Sequence, residues 1–284
     1  MKGNILYMEN KSVIISGLEK KSNDVRKLIL KMIYKAHSGH PGGSFSAAEI
    51  VTTLYFHLMN IDPKNPSWND RDRFILSKGH ACPVLYANLA LRGYFPVEET
   101  NTLRCLGSKC QGHPDMNKLN GLDASTGALG EGLSIGVGMA LVGKLDKKNY
   151  TIYVMVGDGE VQEGQIWEAA MAASKYKLDN LITFLDYNKI QVDGFVEEVM
   201  PIEPLKDKWL SFGWDVQEID GHNIKQIISA VKKAKEFKGK PHIIIANTTK
   251  GKGVSFMENT PKWHSGAFTK EEFSKAMEEL EERI

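Results

Sequence analysis

Between positions 150 and 246 short apolar runs alternate with helical patterns, and no other feature constrains the chain as much. The run 150–156 (YTIYVMV) is continuously apolar, as a parallel strand buried on both faces must be. A helical pattern over 163–176 follows, then an apolar run at 181–185 (LITFL), a strand over 214–219, a helix over 224–237 and a strand at 242–246 (HIIIA). Such alternation predicts an α/β fold: a mostly parallel central sheet with helices on both faces. Upstream, 73–76 reads as a short strand, and helices are expected over 46–59, 81–92, 97–105 and 131–144. A further helix carries Val25, Leu28, Ile29, Met32 and Ile33 on one stripe, starting at Ser22 or Asn23 and stopping at Ser38-Gly39. The 131–144 helix is rich in glycine and alanine, so something must approach it closely. An acidic helix over 271–282 ends the chain. No linker is evident, so residues 1–284 are expected to form a single domain, with about residues 1–20 weakly structured.

Composition excludes several function classes. Thirty-six Lys and Arg against 35 Asp and Glu leave a net charge of +1, so no nucleic-acid binding by charge alone is expected. No apolar run approaches the roughly 18 residues of a membrane span, so no membrane partner is expected. The start, MKGNILYMENKSV, lacks a signal-peptide core, and Cys82, Cys105 and Cys110 form no CxxC pair. Both point to a cytoplasmic protein with reduced thiols.

Ligands of open α/β sheets sit beyond the C-terminal ends of the strands. Gly157-Asp158-Gly159 falls there after the first strong strand, and Asn188 after the next, with residues 160–187 between. Glycine lets a backbone approach a ligand closely, and Asp158 places a carboxylate where a hard cation can bind. Asp158, the Asn188 amide oxygen and the Ile190 carbonyl make three protein oxygens. Two diphosphate oxygens and a water complete the octahedral set that Mg²⁺ prefers. Alone, a Gly-Asp-Gly is equally a strand-to-helix turn, and a lone Asn is an Asx-turn. The pair, spaced by one strand–helix–strand unit, is the informative object. A nicotinamide site fits less well, because the third glycine of the dinucleotide fingerprint is missing.

Gly-Asp-Gly followed by this Asn resembles the thiamine diphosphate motif, and the chain from about residue 20 to 268 resembles the N-terminal third of transketolase. The carrying segments are Ser38-Gly39-His40-Pro41-Gly42-Gly43, residues 65–80 (NPSWNDRDRFILSKGH), Gly112-His113-Pro114, residues 126–132 (TGALGEG) and Trp263-His264, in the family's order. The resemblance implies the thiamine diphosphate-binding fold, the cofactor thiamine diphosphate, and Mg²⁺, with Ca²⁺ or Mn²⁺ as alternatives. It implies ketol transfer of the pentose phosphate pathway type. His80 resembles the histidine that contacts the cofactor diphosphate, and His113 the one that binds the donor's C1 hydroxyl. His40 and His264 resemble the pair beside the thiazolium and substrate hydroxyls, where a histidine suits proton transfer. Gly127-Ala128-Leu129 resembles the aminopyrimidine pocket lining. Many relatives have Pro or Ser at Ala128 and Gln at Glu131. Glu163 resembles a glutamate linking two active sites, but equally suits a helix start. Lys250 matches a lysine near the cofactor, although a flexible Lys-Gly-Lys-Gly loop is a fair reading of its segment. His57, His222 and His242 match no catalytic motif.

In full-length transketolase a pyrimidine-binding domain supplies an activating glutamate, and this chain stops before it. The resemblance therefore implies the N-terminal subunit of a split transketolase. It would act on sugar phosphates with a C-terminal partner subunit, as a heterotetramer. Two alternatives stay open: a subunit of another thiamine diphosphate enzyme, such as a deoxyxylulose phosphate synthase-like or sulfo- or amino-sugar ketol transferase, or a non-catalytic cofactor-binding subunit.

Overall fold

The computed structural model describes residues 2–283, with side chains from Ser12 onward. Helix α1 (Lys2–Ala36) takes in the segment expected to be weakly structured. Its Leu, Met, Lys and Glu residues are good helix formers, and no proline interrupts them. Helix α2 (Pro41–Ser46) stands where the sequence reading has only a break; Pro41 at its first turn presets a helical φ. The expected 46–59 helix is shorter, α3 (Ala48–Thr53), and loosens into a π-turn over Leu54–Leu58 closed by Met59 N–H on Leu54 O.

Strand β1 (Arg73–Leu76) leads to α4 (Cys82–Arg92), closed by left-handed Gly93. The 97–105 helix is only a 3-10 turn, Val97–Thr102. Then come α5 (Glu131–Leu145), β2 (Ile152–Gly157), α6 (Gly164–Lys175) and β3 (Leu181–Tyr187). A small unpredicted hairpin, β4 (Ile190–Gln191) with β5 (Gly194–Phe195), precedes two short unpredicted helices, α7 (Val196–Val199) and α8 (Leu205–Ser211). Strand β6 (Asp215–Asp220), α9 (Ile224–Glu236), β7 (His242–Asn247) and α10 (Lys270–Glu281) follow. A full capping box at Thr269 and Glu272 starts α10.

The five long strands form one parallel sheet in the order β1-β2-β3-β7-β6. Alternate residues serve opposite layers. Tyr153, Met155 and Phe184 join the core made with α1, α3, α4, α9 and α10. Ile152, Val154, Val156 and Leu185 join the core made with α5, α6 and α8. Each fully buried side chain of this size contributes about 1.5–3 kcal/mol. The close approach that α5 demands comes from the sheet. A Cβ on Gly136 would lie 2.5 Å from Val154 Cγ2, and one on Gly132 would lie 2.4 Å from Ser77 Oγ. Behind α2, Arg26 grips both Glu49 oxygens at 2.6 Å and the Phe45 carbonyl at 2.9 Å, tying α1 to α3.

Register sets the site. Gly157 pairs with Asp186, Asp186 with Ala246, and Leu76 with Met155. The loops after β1, β2, β3 and β7 therefore leave one sheet edge side by side.

Candidate active site

These four loops and the start of α2 enclose a cavity of about 410 Å³. After β1 come Lys78 and His80, at the end of β2 Gly157 and then Asp158 and Gly159, after β3 Asn188 and Ile190, and after β7 Lys250. His40, His264, Gly127, Leu129 and Glu163 also line it, and all of these except Lys78 are residues selected from the sequence. A larger cleft of about 920 Å³ lies at the opposite end of the strands. Lys144 and Lys148 there face Asp179 and Asp70 at 3.0 and 2.7 Å, and none of the site residues read from the sequence lines it.

Asp158 is buried. It caps its own turn by accepting from Gly159 N–H at 2.8 Å, and it also accepts from Lys189 N–H. Burial, then the neighbouring Asp186 carboxylate, raises its pKa to about 6. Asn188 Oδ1 accepts from Ile190 N–H at 3.2 Å, and its amide donates to Asp186 at 3.1 Å. The Ile190 carbonyl, expected to face a cation, accepts from Lys250 Nζ at 2.7 Å. Lys250 is 2 % exposed, and burial lowers its pKa to about 8. Among the described residues no three His, Cys, Asp or Glu side chains cluster for a metal, so any cation here relies on amide and carbonyl oxygens as well.

His40, His80 and His264 form one aromatic cluster. His80 and His264 stack at 5.3 Å, and the His40 ring meets them edge-on at 5.0 and 5.6 Å. Burial first, then nearby cations, lowers their pKa values to about 4, 2 and 3 respectively. All three are therefore neutral at pH 7. His264 Nδ1 is buried without a hydrogen-bond partner. Two backbone bonds hold the cluster's loops together: Gly266 N–H donates to Gly39 O at 2.9 Å, and Gly251 N–H to Gly42 O at 3.1 Å.

Two selected residues stand apart. His113 is exposed and flanks the cavity beside Gly127, with its ring 3.6 Å from where a Gly127 Cβ would be. Ala128 is exposed and outside the lining. Glu163 sits at the start of α6 and makes no side-chain cap. His222 and His242 are structural: His222 joins Glu49 at 2.9 Å to Thr249 N–H at 2.8 Å, and His242 pairs with Asp215 at 3.0 Å.

Other site residues escaped the sequence reading. Lys78 is 2 % exposed and donates to Gly43 O at 2.8 Å and to Asp186. Asp186 is fully buried and also accepts from Ser46 at 2.6 Å and from Thr248. Burial would raise the Asp186 pKa, but the Lys78 ammonium and these donors hold it below the usual range. Glu160 accepts from Ser77 and from the Gly130 and Gly157 amides at 2.9 and 3.0 Å. Lys78 lies just beyond a strand end, the position that singled out Asp158, so the same logic applied to β1 finds it.

A parallel α/β sheet has polar loops converging past its strand ends, where the ammonium groups of Lys78 and Lys250 are buried among the carboxylates of Asp158, Glu160 and Asp186; such a strand-end site is where open α/β sheets bind ligands. Residues 18–281 match the family described as "Transketolase, thiamine diphosphate binding domain", and the chain belongs to that family. It is 53% identical over 264 residues, 93% of this chain and 96% of the relative, to the 6-deoxy-6-sulfo-D-fructose transketolase subunit SqwG of Clostridium sp. (strain MSTE9). It is 46% identical over 270 residues, 95% and 96% of the two chains, to one of the subunits of the apulose-4-phosphate transketolase of Phocaeicola vulgatus. The transketolase crystal structure from Campylobacter jejuni superimposes with a TM-score of 0.88 at 36% identity, covering 93% of this chain and 42% of that one.

Proposed function

We propose that this chain is the diphosphate-binding half of a two-chain transketolase. It binds thiamine diphosphate and a divalent cation at the C-terminal ends of β1, β2, β3 and β7. It serves transfer of a two-carbon ketol unit from a ketose phosphate to an aldose phosphate, together with a second subunit. The convergence of Lys78, His80, Asp158, Asn188, Lys250 and His264 on one cavity carries this reading.

The residues fit the group. His264 Nδ1 is an orphaned polar atom in the wall, Lys78 and Lys250 are buried cations, and Gly43, Gly157 and Gly159 present no side chains. His80 and the Gly157–Gly159 backbone would hold the diphosphate. Asp158, the Asn188 amide oxygen and the Ile190 carbonyl would hold Mg²⁺, all hard oxygen donors. The Ile190 carbonyl, which accepts from Lys250 Nζ at 2.7 Å in the chain alone, would have to exchange that partner to serve there. Gly127 and Leu129, which line the same cavity, would take the pyrimidine side. When bound, the cofactor supplies the electron sink for breaking and forming a carbon–carbon bond beside a ketose carbonyl. Both rings are neutral at pH 7: His40, its Nδ1 turned to Arg104, would present a ring N–H to a substrate hydroxyl, and His264, with one N–H and one lone pair, can give or take a proton there. His113, at the margin, is placed for the sugar rather than the cofactor.

The partner would supply the pyrimidine-binding domain and an activating glutamate, in a heterotetramer of two copies each. Exposed apolar side chains at the cavity mouth, Leu129 at 38% and Val192 at 64%, with Phe195 and Met200 beyond, support such a partner. The 53% identity to a sulfofructose transketolase subunit favours a second reading of the donor, a sulfo-sugar. A cytoplasmic setting goes with three free cysteines, and no described helix is long and apolar enough to cross a membrane.

Asp158→Ala tests the site. In the two-chain complex, equilibrium dialysis should show Mg²⁺-dependent thiamine diphosphate affinity falling about a hundredfold or more, beyond what loss of an outer-shell partner costs. Unchanged affinity would refute the cation assignment.

A further inference from the structure

Arg104 is a cation in the wall of the site that no part of the cofactor argument uses. It has a left-handed backbone, φ 61°, unusual for a residue with a Cβ, and its N–H donates to Cys110 O at 3.0 Å. Such conformations persist where the surroundings enforce them, and they gather at functional sites. Its side chain runs over Gly112, where a Cβ would come within 3.4 Å of Nε. The guanidinium then forks: Nη1 donates to Ser38 Oγ at 3.0 Å, and Nη2 meets His40 Nδ1 at 3.3 Å.

We propose that Arg104 is a positioning residue that fixes the tautomer of His40, holding Nδ1 as an acceptor and leaving the ring proton on Nε2.

The chemistry allows one arrangement. A guanidinium has five donors and no acceptor, and it does not deprotonate in a protein. His40 Nδ1 facing it must therefore present a lone pair. The groups facing His40 from every packed element are Arg104 and His113 from the loop before α5, Lys250 after β7, His80 after β1 and His264. None is a carboxylate, so nothing draws a second proton onto the ring. Burial, then Arg104, His113 and Lys250, keeps it neutral down to about pH 4. A neutral ring with Nδ1 as acceptor carries its proton on Nε2, the nitrogen left free for a ligand. The tautomer stands on the chain's own geometry; only its use, as an N–H directed at a sugar hydroxyl or at the cofactor, rests on the functional reading above.

The test is nitrogen-15 NMR of the histidine-labelled chain without cofactor, sugar or partner, with His40 assigned by its loss in His40→Gln. The expected result is a single His40 species, Nδ1 unprotonated and Nε2 protonated, from about pH 5 to 8. In Arg104→Met the two tautomers should mix, and the His40 titration should rise by about one unit. A wild-type spectrum with the proton on Nδ1, or with both tautomers equally populated, overturns the proposal, and so does an Arg104→Met spectrum identical to wild type. The wild-type spectrum decides even where Arg104→Met does not fold. Because no cofactor is present, the tautomer can stand while the cofactor reading fails, and the reverse.

Discussion

Asp186→Ala removes the carboxylate paired to the buried Lys78 ammonium beneath the cavity floor. Lys78 and Asp186 are 2% and 0% exposed. Without Asp186, Lys78 keeps only the Gly43 carbonyl, and Ser46, Thr248 and Asn188 each lose an acceptor. Breaking a buried pair from one side costs about 3–5 kcal/mol, a large share of the roughly 5–15 kcal/mol that holds a domain folded. At about 2–4 °C per kcal/mol for a chain of this size, the melting temperature should drop by about 10 °C. Lys78→Met should cost less, about 1–3 kcal/mol, because the carboxylate retains three donors and can take up a proton. Replacing both, as Lys78→Met with Asp186→Leu, should recover part of the Asp186→Ala loss. Urea denaturation followed by circular dichroism measures all three. An Asp186→Ala loss below about 1 kcal/mol, or a larger loss from Lys78→Met, would refute the reasoning.

Acid should destabilise the ligand-free chain. His40, His80 and His264 have folded pKa values of about 4, 2 and 3, below the usual 6.5. Between these limits the unfolded chain binds more protons, so stability falls as pH falls below about 6.5. Asp158, raised to about 6, and Glu160 and Asp123, also raised by burial, act in the opposite direction, but the histidine shifts are the larger ones. Melting temperatures at pH 7 and pH 5 check the sign; a chain equally stable at both contradicts it. His113→Ala should leave thiamine diphosphate affinity of the complex within about twofold and raise the donor KM about tenfold or more, since the ring lies outside the cavity lining. Steady-state kinetics beside dialysis separates the two, and lost cofactor binding would count against the assigned role.

Where a pattern repeats along the chain, the fold was legible. Continuous apolar runs at 150–156, 181–185 and 242–246 mark β2, β3 and β7, because parallel strands bury both faces and tolerate no polar interruption. Edge strand β6 is only half-buried yet was still found, from its place between helical patterns. Helices α2, α7 and α8 were missed: each is short and held by its surroundings rather than by its own periodicity. The 97–105 segment lacks a helical register for its acidic residues to reinforce, and it settles as a 3-10 turn. Of the site, Asp158 and Asn188 were legible because strand ends are read from the strands themselves. Lys78 sits at such a strand end too, but its pairing, like the roles of Asp186 and Arg104, depends on partners 35 to 140 residues away in the chain. No local pattern marks a lysine as buried or an arginine as aimed at a histidine.

The central claim is that this chain holds the cofactor-diphosphate side of an active site and needs another chain to complete it. It is tested most directly by tagging the chain in its native cell and purifying it in Mg²⁺ and thiamine diphosphate. Ketol transfer by the co-purified complex and by the chain alone is then compared across pentose, hexose and sulfo-sugar phosphates. The account predicts a second subunit in equal copy, transfer by the complex, and none by the chain alone. Transfer by the isolated chain as fast as by the complex would contradict it.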